Sequence, residues 1–404
     1  MSTETGEKSS RNLFVLSLAI AFSATWVIES LTGVFLIDIS LTFFNSADAV
    51  WIAAASQLVT ISSVISVISG LMLGVLSVRF SHKRLLLIGL LCVTFGILGC
   101  FLAPEFIFMK IFYPIEGIGT VIVSAMAFAL VGEVLILKKR AAATGWIISS
   151  SSITGIVASI LISIFFAGGG DGWRYYLLLF ALPVSFIATV ATYLGVPSSF
   201  QRPKNIGRQA YLNSLKQVFL KKSAVGCLVG NMFRQAGFAW AVVYSASFFR
   251  IVFGFSLGFA ALIVLGGTAL FALGSIFGGH LVNRVGRKRQ VVASLVLSAP
   301  FLMLLAFVPY AWVALALHFS GAFIYSLGFP GSVNLTLEQA PNARGTMMSM
   351  STIFLTLGLG VGTAIGGTVL ALFGGYTELI FTFAAISLIA AAVYFFLTKD
   401  PCRP

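Results

Sequence analysis

Twelve stretches of this chain, each about twenty residues or longer, carry almost no charge, and the basic residues gather between them on alternate sides. A helix needs about 20 consecutive apolar residues to cross the hydrocarbon of a bilayer. The expected fold is therefore an all-α integral membrane protein with twelve transmembrane helices. Hydrophobic residues make up 59% of the chain and charged residues 9%, against about a quarter charged in a soluble domain. A soluble globular fold is excluded. The net charge of +13 would fit a nucleic-acid binder if it were clustered on one soluble face. Here it lies in short loops beside apolar spans, so the expected partner is the lipid bilayer and no nucleic acid.

The spans read as 13–38, 50–77, 85–103, 106–136, 142–166, 175–196, 223–249, 256–282, 290–309, 311–335, 346–373 and 376–397. Loops 79–84, 138–140, 198–222, 283–289 and 340–345, with both termini, hold 21 of the 25 Lys and Arg residues. Asp38, Asp48, Glu105, Asp171 and Glu378 fall at the opposite ends. Positive loops stay on the cytoplasmic side, which predicts a multi-pass plasma-membrane protein with both termini in the cytoplasm. The N-terminus is polar up to Arg11, and the apolar run after it is too long for a cleaved signal peptide. Cys92, Cys100, Cys227 and Cys402 lack metal-ligand spacing and read as packing residues. No metal site and no cofactor are expected.

The longest connection, 198–222, contains Pro203, Lys204, Arg208, Lys221 and Lys222 and reads as a cytoplasmic linker with a short amphipathic surface helix around 211–219. It divides the chain into six-helix bundles over 1–197 and 223–404. The bundles read as repeats. Gly74, Arg79, Lys83 and Arg84 recur as Gly279, Arg284, Lys288 and Arg289, each 205 positions later, and Arg140 recurs as Arg344 after 204. Parallel six-helix repeats are a transporter design, with a site near mid-membrane exposed to each side in turn. Gly358, Gly360, Gly362, Gly366 and Gly367 in the eleventh span suit either such motion or simple close packing.

The loop from Gly279 through Asn283, Arg284, Gly286, Arg287 and Lys288 to Arg289 resembles the loop signature of the major facilitator superfamily, and Gly74 to Arg84 is a weaker copy. Gly172-Trp173-Arg174-Tyr175, Leu182-Pro183 and the stretch Pro341 to Gly345 are also similar to that family. The resemblance covers essentially the whole chain and implies two pseudo-symmetric six-helix bundles, with these loops as cytoplasmic gates. It is nearest to the drug:proton antiporter branches, but with departures. The signature's acid, which in the family helps latch the cytoplasmic side, is Asn283 in one copy and Val78 in the other. Tyr113 stands where the antiporter signature places an Arg, and Gly155-Ile156 lacks the antiporter proline.

An ionisable group inside a membrane costs about 2.5–3.5 kcal/mol on insertion scales, so such groups mark function by default. Glu29 in the first span and Arg234 in the seventh are 205 positions apart, the same offset as the loops. An acid and a base at equivalent places on two repeats could pair in some states and part in others, with Glu29 as the titrating group and Arg234 as counter-charge or anchor for an anion. A static ion pair that only fixes packing is the alternative. Glu116 in span four is a second titrating candidate, or a packing acid bonded to a neighbouring hydroxyl or to Lys110. Lys110 reads as snorkelling outward, and Asp38 and Glu133 as helix-end acids in reach of water. His318 could relay protons or pack. Trp26, Phe238 and Tyr244 are candidate cavity-wall aromatics, and Asn231, Gln235, Gln57 and Asn334 are candidate polar ligands.

There is no Walker-type loop, His-Glu-x-x-His, Cys-x-x-Cys or Gly-x-Ser-x-Gly pattern. The chain is expected to be no enzyme, and to work by alternating access on an ion gradient. The expectation is proton-coupled export of small organic or drug-like compounds by a monomer. Uptake or exchange of an organic anion, attracted by Arg234 and Lys110, is the alternative. A non-transporting membrane receptor on the same fold is the reading from another class.

Overall fold

The computed structural model describes residues 2–135, 137–168, 170–197 and 208–401; within these helices the side chains at 2–11, 29–30, 74–75, 77–79, 137–142, 208–212, 283 and 342 lie outside the described set. Glu29, Gly74, Arg79 and Asn283, singled out from the sequence, are therefore known only by their place in the backbone. The helices in chain order are α1 Ser2–Ala24, α2 Glu29–Val34, α3 Leu36–Phe44, α4 Ala49–Arg79, α5 His82–Leu102, α6 Phe106–Val134, α7 Leu137–Phe165, α8 Gly172–Tyr176, α9 Leu182–Gly195, α10 Arg208–Leu220, α11 Lys222–Ala239, α12 Ser245–Phe253, α13 Leu257–Val285, α14 Arg287–Leu304, α15 Ala311–Leu327, α16 Phe329–Gln339, α17 Arg344–Phe373 and α18 Tyr376–Leu397. Among the described residues there is no strand, and eleven helices are long and apolar enough to cross a membrane; Asn12–Ala24 is a shorter apolar helix. Hydrocarbon offers no partner to a backbone N–H or C=O, so an apolar chain of this kind closes its hydrogen bonds within helices.

The first and tenth apolar segments are not the continuous spans expected at 13–38 and 311–335. The first stops at Ala24 and resumes as α2 and α3. Hydroxyl side chains compete there for backbone carbonyls: Thr25 donates to the Phe22 carbonyl at 2.7 Å, and the amides of Thr25 and Trp26 bond three residues back instead of four. In the tenth, Pro330 has no N–H to offer the Ser326 carbonyl, and the helix divides at Gly328. Short π-helical turns at Leu177–Ala181 and Trp240–Tyr244 interrupt two more segments. Pro183, unable to close the α-turn onto Leu179, accounts for the first.

The chain forms two compact units, one of residues 1–45 and 61–205, the other of 46–60 and 206–404. In the first, α1 packs on α7 and α9, and α5 on α6, around Phe14, Leu18, Leu86, Leu90, Val123 and Met126. In the second, α11 packs on α17 and α18, and α14 on α15 and α18, around Leu228, Val291, Leu295, Leu335, Met347 and Tyr394. The repeat also appears in the helix limits. His82 and Arg287 open, Phe106 and Ala311 open, and Val134 and Gln339 close corresponding helices, each pair 205 positions apart.

Gly358, Gly362 and Gly366 fall four residues apart and so share one face of α17. A Cβ on Gly358 would sit inside the contact radius of the Met232 carbonyl oxygen, and one on Gly362 inside that of Ala236. The α11 and α17 backbones therefore touch without intervening side chains. Gly362→Ala is expected to cost about 1–3 kcal/mol by overpacking and to lower the melting temperature in detergent. An unchanged melting temperature would show that the two helices are not in backbone contact.

Candidate functional site

Arg234 stands in the last turns of α11 and is 4% exposed. Its setting is built from four neighbouring helices, α15 to α18. One turn earlier, Asn231 donates through Nδ2 to the hydroxyls of Thr336 on α16 (2.9 Å) and Ser351 on α17 (3.1 Å), and its Oδ1 accepts from Tyr394 of α18 at 2.6 Å. Asn231, expected as a ligand group, is thus committed to the protein and fixes α11 among its neighbours. The Tyr325 hydroxyl donates to the Arg234 carbonyl. The guanidinium carbon lies 5.3 Å from the centre of the Phe329 ring, where the ring face attracts a cation. The hydroxyls of Tyr325 and Tyr394 lie near the guanidinium, whose Nε has no hydrogen-bond partner. Among the described residues, no carboxylate lies within ion-pair distance of Arg234. Among the described residues, the charge is held by neutral groups.

An aromatic wall adjoins it. Phe238 stacks on Tyr325 with centroids 5.7 Å apart and planes at 16°, and it meets Phe271 at 5.1 Å; Phe271 in turn meets Phe329 at 5.5 Å. Behind Phe238 a cavity of about 60 Å³ is lined by Trp240, Leu302, His318, Tyr325 and Ser387 among others. That is room for about two waters. Trp240 Nε1, with no hydrogen-bond partner, belongs to a residue of this lining. His318 is buried and packs edge-on against Phe249 with centroids 5.5 Å apart.

The remaining candidates are dispersed. Tyr244 is fully buried; its hydroxyl donates to the Thr363 carbonyl at 2.8 Å and lies 3.0 Å from the Ser56 hydroxyl, which makes it a strut between segments. Gln57 is half-buried beside Gly367. Gln235 is half-buried, and Asn334 bonds the Pro330 carbonyl of its own helix at 2.9 Å. Trp26 lies in the break after α1 with 41% exposure. Glu116 is buried and accepts from Thr120 at 2.6 Å. Lys110 is exposed with its ammonium 5.1 Å from the centre of the Phe106 ring. Asp38, expected at a wet helix end, is instead buried, because the break in the first segment turns α3 into the core.

At the loops, Lys83 donates to the Tyr193 carbonyl at 2.9 Å, Arg84 and Arg284 are exposed, and Gly279 has open space where a Cβ would stand. Arg287 is half-buried at the start of α14. Gly286 precedes it with φ 96°, a conformation that only glycine adopts readily, whereas Ser81, 205 positions earlier, is extended. In the first unit His82 Nδ1 lies 2.7 Å from a Glu133 carboxylate oxygen, and in the second Arg344 pairs with Glu338 at 3.1 Å. Glu338 follows Glu133 by 205 positions, so an acid recurs there even though the signature's own acid is missing.

Sequence reading overlooked Tyr325, Tyr394, Phe329 and Gln290. The first two could have been found as hydroxyl-bearing aromatics deep in apolar spans. Asn231→Leu is expected to lower stability by about 1–3 kcal/mol by stranding three buried partners, and Asn334→Leu by far less. Chemical or thermal unfolding in detergent gives the comparison; equal losses would contradict the network described.

The arrangement offers a fixed cation and an aromatic wall, which suits binding of a small organic molecule and provides no nucleophile with its base. A family model described as Major Facilitator Superfamily matches residues 13–271 and again 236–404. An uncharacterised MFS-type transporter, YceJ, of Bacillus subtilis is 24% identical over 302 residues, 73% of this chain and 74% of that protein. A gentisate transporter of Corynebacterium glutamicum is 32% identical over 174 residues, 39% of this chain and 37% of that protein. The crystal structure of a bacterial homologue of the human lysosomal transporter Spinster, inward-facing and unoccupied, superposes with a TM-score of 0.79 at 17% identity, covering 96% of each chain. The helical repeat, the apolar spans and the match of that family model from residue 13 to residue 404 converge: the chain belongs to the Major Facilitator Superfamily and is a membrane transporter rather than an enzyme.

Proposed function

We propose that this protein is a secondary active transporter of small organic anions, with Arg234 as the anchor for the substrate's carboxylate. The observation that carries the reading is a residue 4% exposed whose guanidinium lies over the Phe329 ring, with no described carboxylate to neutralise it. A buried cation of this kind gains most from an anion delivered as ligand, since a bidentate Arg–carboxylate pair is among the stronger charge-assisted interactions. Phe238, Tyr325 and Phe329 form a wall suited to an aromatic ring beside that carboxylate. The resemblance to a gentisate transporter supports the same class, because gentisate is an aromatic carboxylate. In this reading Glu29 is the titrating acid, transport is proton-coupled alternating access, and the broken first segment supplies a twelfth crossing. The halves 1–197 and 223–404 act as the two bundles, in a plasma membrane with both termini cytoplasmic.

A second reading, export of apolar drug-like compounds, is favoured by the same aromatic wall and disfavoured by the cation inside it. Uptake into proteoliposomes under an imposed pH gradient separates them, using aromatic carboxylates, lipophilic cations and neutral aromatics as probes. Carboxylate flux is expected, lost in Arg234→Gln by about a hundredfold and partly kept in Arg234→Lys, since a charge-assisted hydrogen bond is worth about 1.5–3 kcal/mol. Glu29→Gln is expected to abolish the response to the gradient while leaving carboxylate binding. Flux of lipophilic cations with an indifferent Arg234→Gln would reverse the assignment in favour of export.

A further inference from the structure

A second cationic feature, which does not include Arg234, lies where α10 gives way to α11, α13 turns into α14, and α18 ends. Lys221, Lys288, Arg289 and Lys399 surround an open cleft of about 990 Å³, and Asp400 is the one carboxylate among its described lining residues. The Lys221 ammonium is steadied on the Gln339 carbonyl at 2.6 Å, and the Lys288 ammonium lies 5.3 Å from the centre of the Phe395 ring. Each ammonium has three donors, so both keep donors for a further acceptor. Arg289 and Lys399 are exposed.

Exposed apolar side chains neighbour the cleft's cations, Phe395 in space and the others along the chain. Phe396 is 78% exposed, Leu220 71%, Phe395 57% and Leu397 53%. All four sit within a few residues of the cleft's cations in the chain, and Lys288 touches Phe395 directly. A cationic cleft with exposed apolar side chains beside its lysines presents two chemistries to one ligand. The helices add to the first. Both α11 and α14, each 18 residues long, begin at this cleft with no acid in the first turn and no side-chain cap. Their initial N–H groups therefore leave positive partial charge on the same side as the four cations.

We propose that the cleft binds the phosphate headgroup of an anionic phospholipid, with Lys221, Lys288, Arg289 and Lys399 around the phosphodiester and the acyl chains running over Leu220, Phe396 and Leu397. Free phosphate shares the headgroup chemistry but gains nothing from exposed Phe395 beside Lys288 or Leu220 beside Lys221, which favour the lipid. The site is independent of Arg234 and of the substrate assigned to it.

The test is native mass spectrometry of the full chain in neutral detergent, titrated with phosphatidylglycerol, with phosphatidylcholine of the same acyl chains, and with inorganic phosphate. Phosphatidylglycerol is expected to bind more tightly than phosphatidylcholine. The double change Lys288→Gln and Arg289→Gln is expected to weaken it about 30-fold, two surface charges' worth, and to leave phosphatidylcholine binding unchanged. Lys216→Gln, a cation on α10 that does not line the cleft, should leave both affinities as they were. Should the double variant fail to fold, the single change at exposed Arg289 takes its place, with a loss of about fivefold expected. Equal affinity for the two lipids, or a variant that keeps full affinity for phosphatidylglycerol, overturns the site. Inorganic phosphate that binds as tightly as phosphatidylglycerol and displaces it overturns the lipid assignment.

Discussion

A carbonyl freed from a helix cannot be left facing hydrocarbon, because burying an unpaired polar group costs several kcal/mol. The breaks in this protein are built around that constraint. Where the first segment stops, the Val27 carbonyl receives the Tyr176 hydroxyl at 2.8 Å. Where Pro330 divides the tenth, buried Gln290 reaches across from α14 to the Leu327 carbonyl at 2.6 Å and the Gly278 carbonyl at 2.7 Å. At the end of α5, Arg174 covers the carbonyls of Phe101 and Ala103 at 2.6 and 2.7 Å. Each of these three sites is thus satisfied by a donor from another helix, which ties that helix to it.

Arg234 depends on this arrangement. Its helix is positioned by the Asn231 network, its carbonyl is taken by Tyr325, and its charge rests against Phe329, the residue that opens α16 after the break. The division at Gly328 therefore does more than relieve Pro330. It sets the first turn of α16, and with it Phe329, against α11 at the level of the guanidinium. Held by neutral dipoles and a ring face, the cation is stabilised enough to stay folded in the apolar layer while its strongest kind of partner, an anion, is still wanting among the described residues.

Hydropathy and charge placement carry the helices because both are one-dimensional: a run without Lys, Arg, Asp or Glu has nowhere to go but across. The repeat was legible for the same reason, and the 205-residue offset read from Arg79, Lys83 and Arg84 reappears in helix limits at His82 and Arg287. Arg234 stood out as a charge in an apolar span. What stayed hidden depends on contacts between helices distant in sequence. Gln290 looked like the polar first residue of a span, although its role is set by a carbonyl 37 positions away. Asn231 and Tyr244 carry polar atoms that could equally serve a ligand or the fold, and only the positions of Thr336, Ser351, Tyr394 and Thr363 assign them to the fold. Asp38 was misplaced because a break at Ala24 cannot be told from a continuous helix by composition.

The glycine face of α17 has a consequence for how this protein tolerates change. Where two backbones meet directly, Cα–H groups lie against carbonyl oxygens and supply attraction that owes nothing to side-chain identity. Selection at that contact acts on size at Gly358 and Gly362 and is blind to chemistry at the lipid-facing positions around them. Leu372 and Phe373, at 74% and 64% exposure on the same helix, are free to drift among apolar residues. A lineage of such proteins can therefore diverge widely in sequence while the α11–α17 seam keeps its geometry, because the seam is written in the absence of side chains.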